Sequence, residues 1–86
     1  MRTYQLRIST PNGDVFNGEV VSLSVRGTEG DLAIMAGHIP FISYVKPCEA
    51  KILLEEGEEK KGNIDGGVLV VSPEKTILLS GSFTFE

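Results

Sequence analysis

The chain has one cysteine, one histidine and no tryptophan in 86 residues. With Cys48 alone, neither an intrachain disulfide nor a cysteine cage for a metal can form. With His38 alone, a histidine-based metal site lacks its usual second ligand. Basic residues are also scarce: eight Lys and Arg stand against twelve Asp and Glu, a net charge of −4. They are spread from Arg2 to Lys75, and the pair Lys60-Lys61 follows Glu55, Glu56, Glu58 and Glu59. A nucleic-acid partner needs clustered cations to displace counterions from phosphate, so none is expected. No apolar run approaches the ~20 residues that span a bilayer, which excludes direct membrane insertion by a helix. The N-terminus lacks the apolar stretch of a secretory signal. A soluble protein of cytosolic type is expected, free to sit on a membrane complex.

Catalytic motifs are missing too. There is no dinucleotide-binding glycine fingerprint, phosphate-binding Gly-Lys-Ser/Thr loop or nucleophile elbow. Cys48 and His38 could form a nucleophile–base pair, but Cys48 falls on the apolar side of its segment, where inert core cysteines belong. Glu29 and Asp31 could form a carboxylate pair, yet a glycine-flanked loop turns such groups into water. Thr28 to Asp31 mimics a helix capping box with no helical period after it. The chain is expected to be non-catalytic, with no cofactor.

What is present is alternation. Tyr4, Leu6 and Ile8 alternate with polar neighbours, as do Val21, Leu23 and Val25, and then Cys48, Ala50, Ile52 and Leu54. Such period-2 patterns mark strands with one buried face. Turn chemistry separates them at Pro11-Asn12-Gly13, Asn17-Gly18, Glu56-Gly57 and Ser72-Pro73. Val15-Phe16 reads as a short strand between the first two turns, and Leu32 to Met35 as another. Pro40 and Pro47 restrict Ile39 to Val45 to an edge or irregular strand. Gly66-Gly67 marks a bulge or a close backbone approach. The near-continuous apolar runs Val68–Val71 and Thr76–Leu79 suggest a hairpin placed centrally between two sheets. No window holds a 3.6-residue period. One domain, residues 1–86, is expected: an all-β, two-sheet β-sandwich of about ten short strands.

One segment, Gly27 to Phe41, does not fit regular alternation. Two readings stand side by side: an irregular connection crossing between the sheets, or a rigid, exposed docking loop. From Val25 through Gly27-Thr28-Glu29-Gly30-Asp31-Leu32, Ile34 and Gly37-His38-Ile39-Pro40 to Phe41, the pattern resembles that of the ε subunit of F-type ATP synthases. Pro11 to Val20 is similar to that family's opening motif. Asp65-Gly66-Gly67 to Val71, followed by Thr76 to Leu79, is similar to its closing strands. Asp65 departs from the family's usual Ser or Ala.

The resemblance implies a sandwich of about ten strands that holds the γ subunit and the membrane rotor ring together, coupling ion-driven rotation to ATP chemistry. It implies contacts through Thr28, Glu29, Gly30 and Asp31, with His38, Ile39 and Phe41 as a second patch. It also implies a place at the cytoplasmic face of the cell membrane, peripheral to it. Glu86 falls where the family's helical pair begins, so neither ATP binding nor inhibition by that arm is expected. The alternative is a free-standing sandwich that binds a protein or ligand and shares only the fold.

Overall fold

A computed structural model describes residues 2–86, and every element in it is a strand. In chain order these are β1 (Tyr4–Thr10), β2 (Gly13–Val20), β3 (Ser22–Gly27), β4 (Gly30–Met35) and β5 (Phe41–Val45). They are followed by β6 (Cys48–Leu53), β7 (Glu59–Ile64), β8 (Gly67–Val71), β9 (Lys75–Ser80) and β10 (Phe83–Phe85). No helix among the described residues is long and apolar enough to cross a membrane.

Hydrogen bonding arranges the strands as β10-β7-β6-β3-β5-β8-β9-β1-β2, with β4 paired to β3. The link between β3 and β5 is a single pair, Gly27 with Val45. Thr28 N–H donates there to the Tyr44 carbonyl (3.3 Å), and Lys46 N–H to that of Arg26 (2.8 Å). On either side of this joint lie five strands each, β10-β7-β6-β3-β4 and β5-β8-β9-β1-β2. All contacts are antiparallel except β1 with β9, which run parallel.

Period-2 alternation accounts for the core. Leu23, Val25, Ile34, Ala50, Ile52, Ile64 and Phe83 from the first sheet meet Leu6, Ile8, Val20, Val45, Leu69, Val71 and Leu78 from the second. The sheets therefore stack with one shared interior, as a sandwich requires. At ~25 cal/mol per Å² of apolar area removed from water, that interior is the main stabilising term. Tyr4 crosses it, its hydroxyl donating to the Ile34 carbonyl at 2.8 Å. Burial pushes the Tyr4 phenol well above its ordinary value of 10.0, because the low-dielectric interior disfavours the phenolate.

Several expectations change. Asn17-Gly18 is no turn: both lie inside the eight-residue β2, paired to Arg7 and Leu6. The register shift between Ile8 and Ser9 provides the local bend instead. Of the two readings of Ile39 to Val45, edge or irregular, the edge holds: Phe41–Val45 pairs regularly along its whole length with β8 and meets β3 only at Val45. Pro40 ends just before the ladder, where a missing N–H does no harm. Phe83–Phe85 forms a tenth strand on β7 that three residues of pattern could not announce.

Cys48 is half-buried rather than a core residue, and its Sγ accepts from Arg26 N–H at 3.4 Å. The close approach at Gly66-Gly67 is real: a Cβ on Gly67 would lie 2.0 Å from the Leu79 carbonyl oxygen.

Candidate docking surfaces

Residues 36–40 of the Gly27–Phe41 segment do cross from β4 in the first sheet to β5 in the second, but Gly27–Asp31 does not cross. It is the tip of the β3–β4 hairpin, with Gly27 opposite Gly30 and only Thr28 and Glu29 beyond the ladder. Among the described residues no non-glycine residue has positive φ, and the turn's left-handed step falls on Gly30 at φ +130°. A residue with a Cβ there would be strained. Arg26 Nε holds Asp31 Oδ1 at 3.2 Å across the hairpin stem. Both side chains are exposed, so the pair orients the carboxylate more than it stabilises the fold. The tip therefore presents Thr28 and Glu29 outward on a rigid stem bonded to Tyr44.

His38, Ile39 and Phe41 occupy a different place. They precede or begin β5, whereas the hairpin joins β5 at its far end, Val45. Four residues of strand at about 3.3 Å each put roughly 13 Å between Phe41 and that joint. The structure does not bring the two expected patches together. The Phe41 side chain packs against the core, while Ile39 is 78% exposed. The His38 ring lies 5.0 Å from that of Phe41, and its Nδ1 is 2.9 Å from the Ile39 carbonyl oxygen. Cys48 follows β5 where His38 precedes it, and each is hydrogen-bonded to a different partner, Arg26 N–H and the Ile39 carbonyl. Among the described residues no group of three or more His, Cys, Asp or Glu could hold a metal ion.

A third surface was not foreseen. On the outer side of the second sheet, Ile42 pairs with Val70 and Tyr44 with Val68. Val70 pairs in turn with Ile77, and Val68 with Leu79. These six side chains form a contiguous apolar block, two deep across β5, β8 and β9. Ile42 and Tyr44 are 70% and 68% exposed. Beyond β9 the same face turns polar, with Arg7 and Ser9 on β1, then Asn17 and Asp14 on β2. Arg7 Nε bonds both Asp14 carboxylate oxygens at 3.0 Å and holds that carboxyl below its ordinary value of 3.8. An apolar centre with a polar border is the anatomy of a protein–protein contact. The signal was in the sequence: runs apolar at every position are apolar on both faces of a strand. They were read as burial between sheets, but the second face looks outward.

A β-sandwich with an exposed hairpin tip at one end and an apolar outer face is the class of protein these observations define. Residues 3–85 match the family described as ATP synthase, Delta/Epsilon chain, beta-sandwich domain, and the chain belongs to it. The fold is also that of a chain in the Euglena gracilis mitochondrial ATP synthase, solved by cryo-electron microscopy as OSCP/F1/c-ring. There the TM-score is 0.91 at 18% identity, covering 96% of this chain and 53% of that one. A chain of the Tetrahymena thermophila mitochondrial ATP synthase, from its central stalk and c-ring, gives 0.77 at 13% identity, covering 95% and 66%. This chain thus spans between about half and two-thirds of the length of those relatives.

Proposed function

We propose that this chain is a non-catalytic rotor-stalk subunit of an F-type ATP synthase. In this reading the outer face of its second sheet sits on the γ subunit, and Thr28, Glu29, Gly30 and Asp31 meet the membrane rotor ring. The subunit is peripheral, held at the cytoplasmic side of the membrane by the complex. It passes ion-driven rotation between ring and γ, to support ATP synthesis or hydrolysis elsewhere in the complex.

The apolar block of Ile42, Tyr44, Val68, Val70, Ile77 and Leu79 carries the proposal. Left in water, such a face costs free energy that only a partner recovers. Membership of the delta/epsilon family and the likeness to chains from F1/c-ring and central-stalk assemblies support γ as that partner. Transmitting torque needs little deformation, and a close-packed two-sheet core supplies that. Ile39 lies beyond the block at the His38 end and extends the contact area with His38; Phe41 supports it from inside.

The test is co-elution of this chain with γ, then with γ and ring together, on gel filtration. A stable complex with γ alone is expected. A chain that ignores both would favour a free-standing binding module.

A further inference from the structure

Among the described residues, four strands lack a second neighbour along most of their length: β2, β4, β10 and β5. Open edges invite pairing with other chains, and proteins usually blunt them. Edge β2 carries Asp14, Asn17 and Glu19 and faces the β1 register shift. Edge β4 has its Ile34 carbonyl occupied by the Tyr4 hydroxyl. Edge β10 is three residues long. Edge β5, Phe41-Ile42-Ser43-Tyr44-Val45, has no charge, no proline and no register shift.

Its hydrogen-bonding polarity follows from the joint with β3. The Tyr44 carbonyl points away from β8, since it accepts from Thr28 N–H. In a regular antiparallel ladder alternate residues share that direction. Phe41, Ser43 and Val45 therefore bond β8, whereas Ile42 N–H, Ile42 C=O and Tyr44 N–H point outward. None of the three has a protein partner among the described residues.

We infer that β5 is a strand-addition site: an extended segment of the γ subunit pairs with its free edge, using the outward backbone groups of Ile42 and Tyr44. This rests on the γ-docking reading and adds how γ is held. Donor, acceptor, donor at strand spacing are satisfied together only by another extended backbone. The side chains of the same two residues form the margin of the apolar face, so one partner can cover face and edge at once. A second copy of this chain fits less well. Two copies would each bring a net charge of −4, and like charge opposes self-association.

Amide hydrogen exchange, resolved by residue, tests this on the complete chain with and without γ. Alone, the Ile42 and Tyr44 amides should exchange fast and those of Ser43 and Val45 slowly. With γ bound, Ile42 and Tyr44 should become as protected as Ser43. A paired comparison separates edge from face: Ile42→Ala and Ile42→Pro both lose the side chain, but only the second loses the outward N–H. An outward N–H is where an edge tolerates proline, so both should fold with similar melts. Affinity for γ should fall about tenfold further in Ile42→Pro, the size of one or two lost backbone bonds. If γ binds yet the two amides stay fast, or the variants bind alike, strand addition is wrong while γ docking stands. If γ does not bind, both readings fall. Self-association of the chain through protected β5 amides would instead favour the second copy.

Discussion

The two outer faces of the sandwich carry opposite chemistry on the same architecture. The first sheet shows Ser22, Ser24 and Arg26 on β3, Glu49 and Lys51 on β6, and Glu59, Lys61 and Asn63 on β7, with Met35 and Leu53 as apolar neighbours of Ser22. Lys61 Nζ and Glu59 lie 3.9 Å apart. The second sheet shows aliphatic and aromatic groups on three neighbouring strands. Both cover the same core, so folding does not require the difference. A face that is apolar without need in the isolated fold is shaped by something outside it.

Charging the apolar face and neutralising lysines on the polar one sharpens that contrast, and it should give the largest effect. Ile42→Asp with Leu79→Asp should weaken γ binding by more than about 100-fold, as placing two charges in an apolar contact does. The melt should barely move, because both side chains are exposed in the free chain. Lys51→Ser with Lys61→Ser on the first sheet should change binding less than about twofold, since border charges contribute little. Equal losses from both faces, read by titration calorimetry, would erase the distinction.

Next in size is the contact between the sheets. Tyr4→Phe removes one cross-sheet hydrogen bond and should cost about 1 kcal/mol, a fall in Tm of about 4–8 °C for a domain of this size. The phenol's folded-state pKa is raised, so the folded state holds that proton more tightly. Its contribution is complete below the ordinary value of 10.0 and is lost as pH rises above it. Melts between pH 9 and 11 should show wild type losing stability, with that loss reduced in Tyr4→Phe.

The hairpin tip should behave differently from either face. Gly30→Val forces a side chain into φ +130° and should cost about 1 kcal/mol or more. Glu29→Ala with Asp31→Ala should shift stability by less than about 1 kcal/mol. In reconstituted membranes both changes should weaken ATP-driven ion pumping, Gly30→Val the more. Full pumping in both would remove the tip from the ring interface.

The smallest effect belongs to the polar border. The Arg7 guanidinium lowers the Asp14 pKa, with a further hydrogen bond from Ser9. The stability this gives is present above the ordinary carboxylate value and is lost as pH falls through the folded one. An acid titration of melts should show a shallow decline that Asp14→Asn flattens, with γ binding at neutral pH little changed.

Much of this was legible because alternation is a local property. Leu6 and Ile8, Leu23 and Val25, and Ala50 and Ile52 were placed on the core face by pattern alone and lie there. Pairing is not local, so the parallel contact of β1 with β9 and the addition of β10 to β7 left no mark within their own segments. Asn17-Gly18 misled because a turn dipeptide inside a strand is overruled by the ladder beside it. The Gly27–Asp31 segment stood out by its glycines, and it forms the tip of the β3–β4 hairpin with positive φ at Gly30. Arg26, which ties down Asp31, went unremarked because its distance in sequence hides a cross-strand neighbour. Val68, Val70, Ile77 and Leu79 were noticed as apolar, but no pattern within one strand tells an outward apolar face from an inward one.

The central claim is that the apolar outer face, not the charged one, is seated on γ. A photo-crosslinking amino acid placed at Tyr44, and separately at Lys51, in the assembled synthase tests it directly. The account predicts that irradiation joins this chain to γ from position 44 and not from position 51. Crosslinks to γ from position 51, with position 44 joined only to water or to the ring, would contradict it.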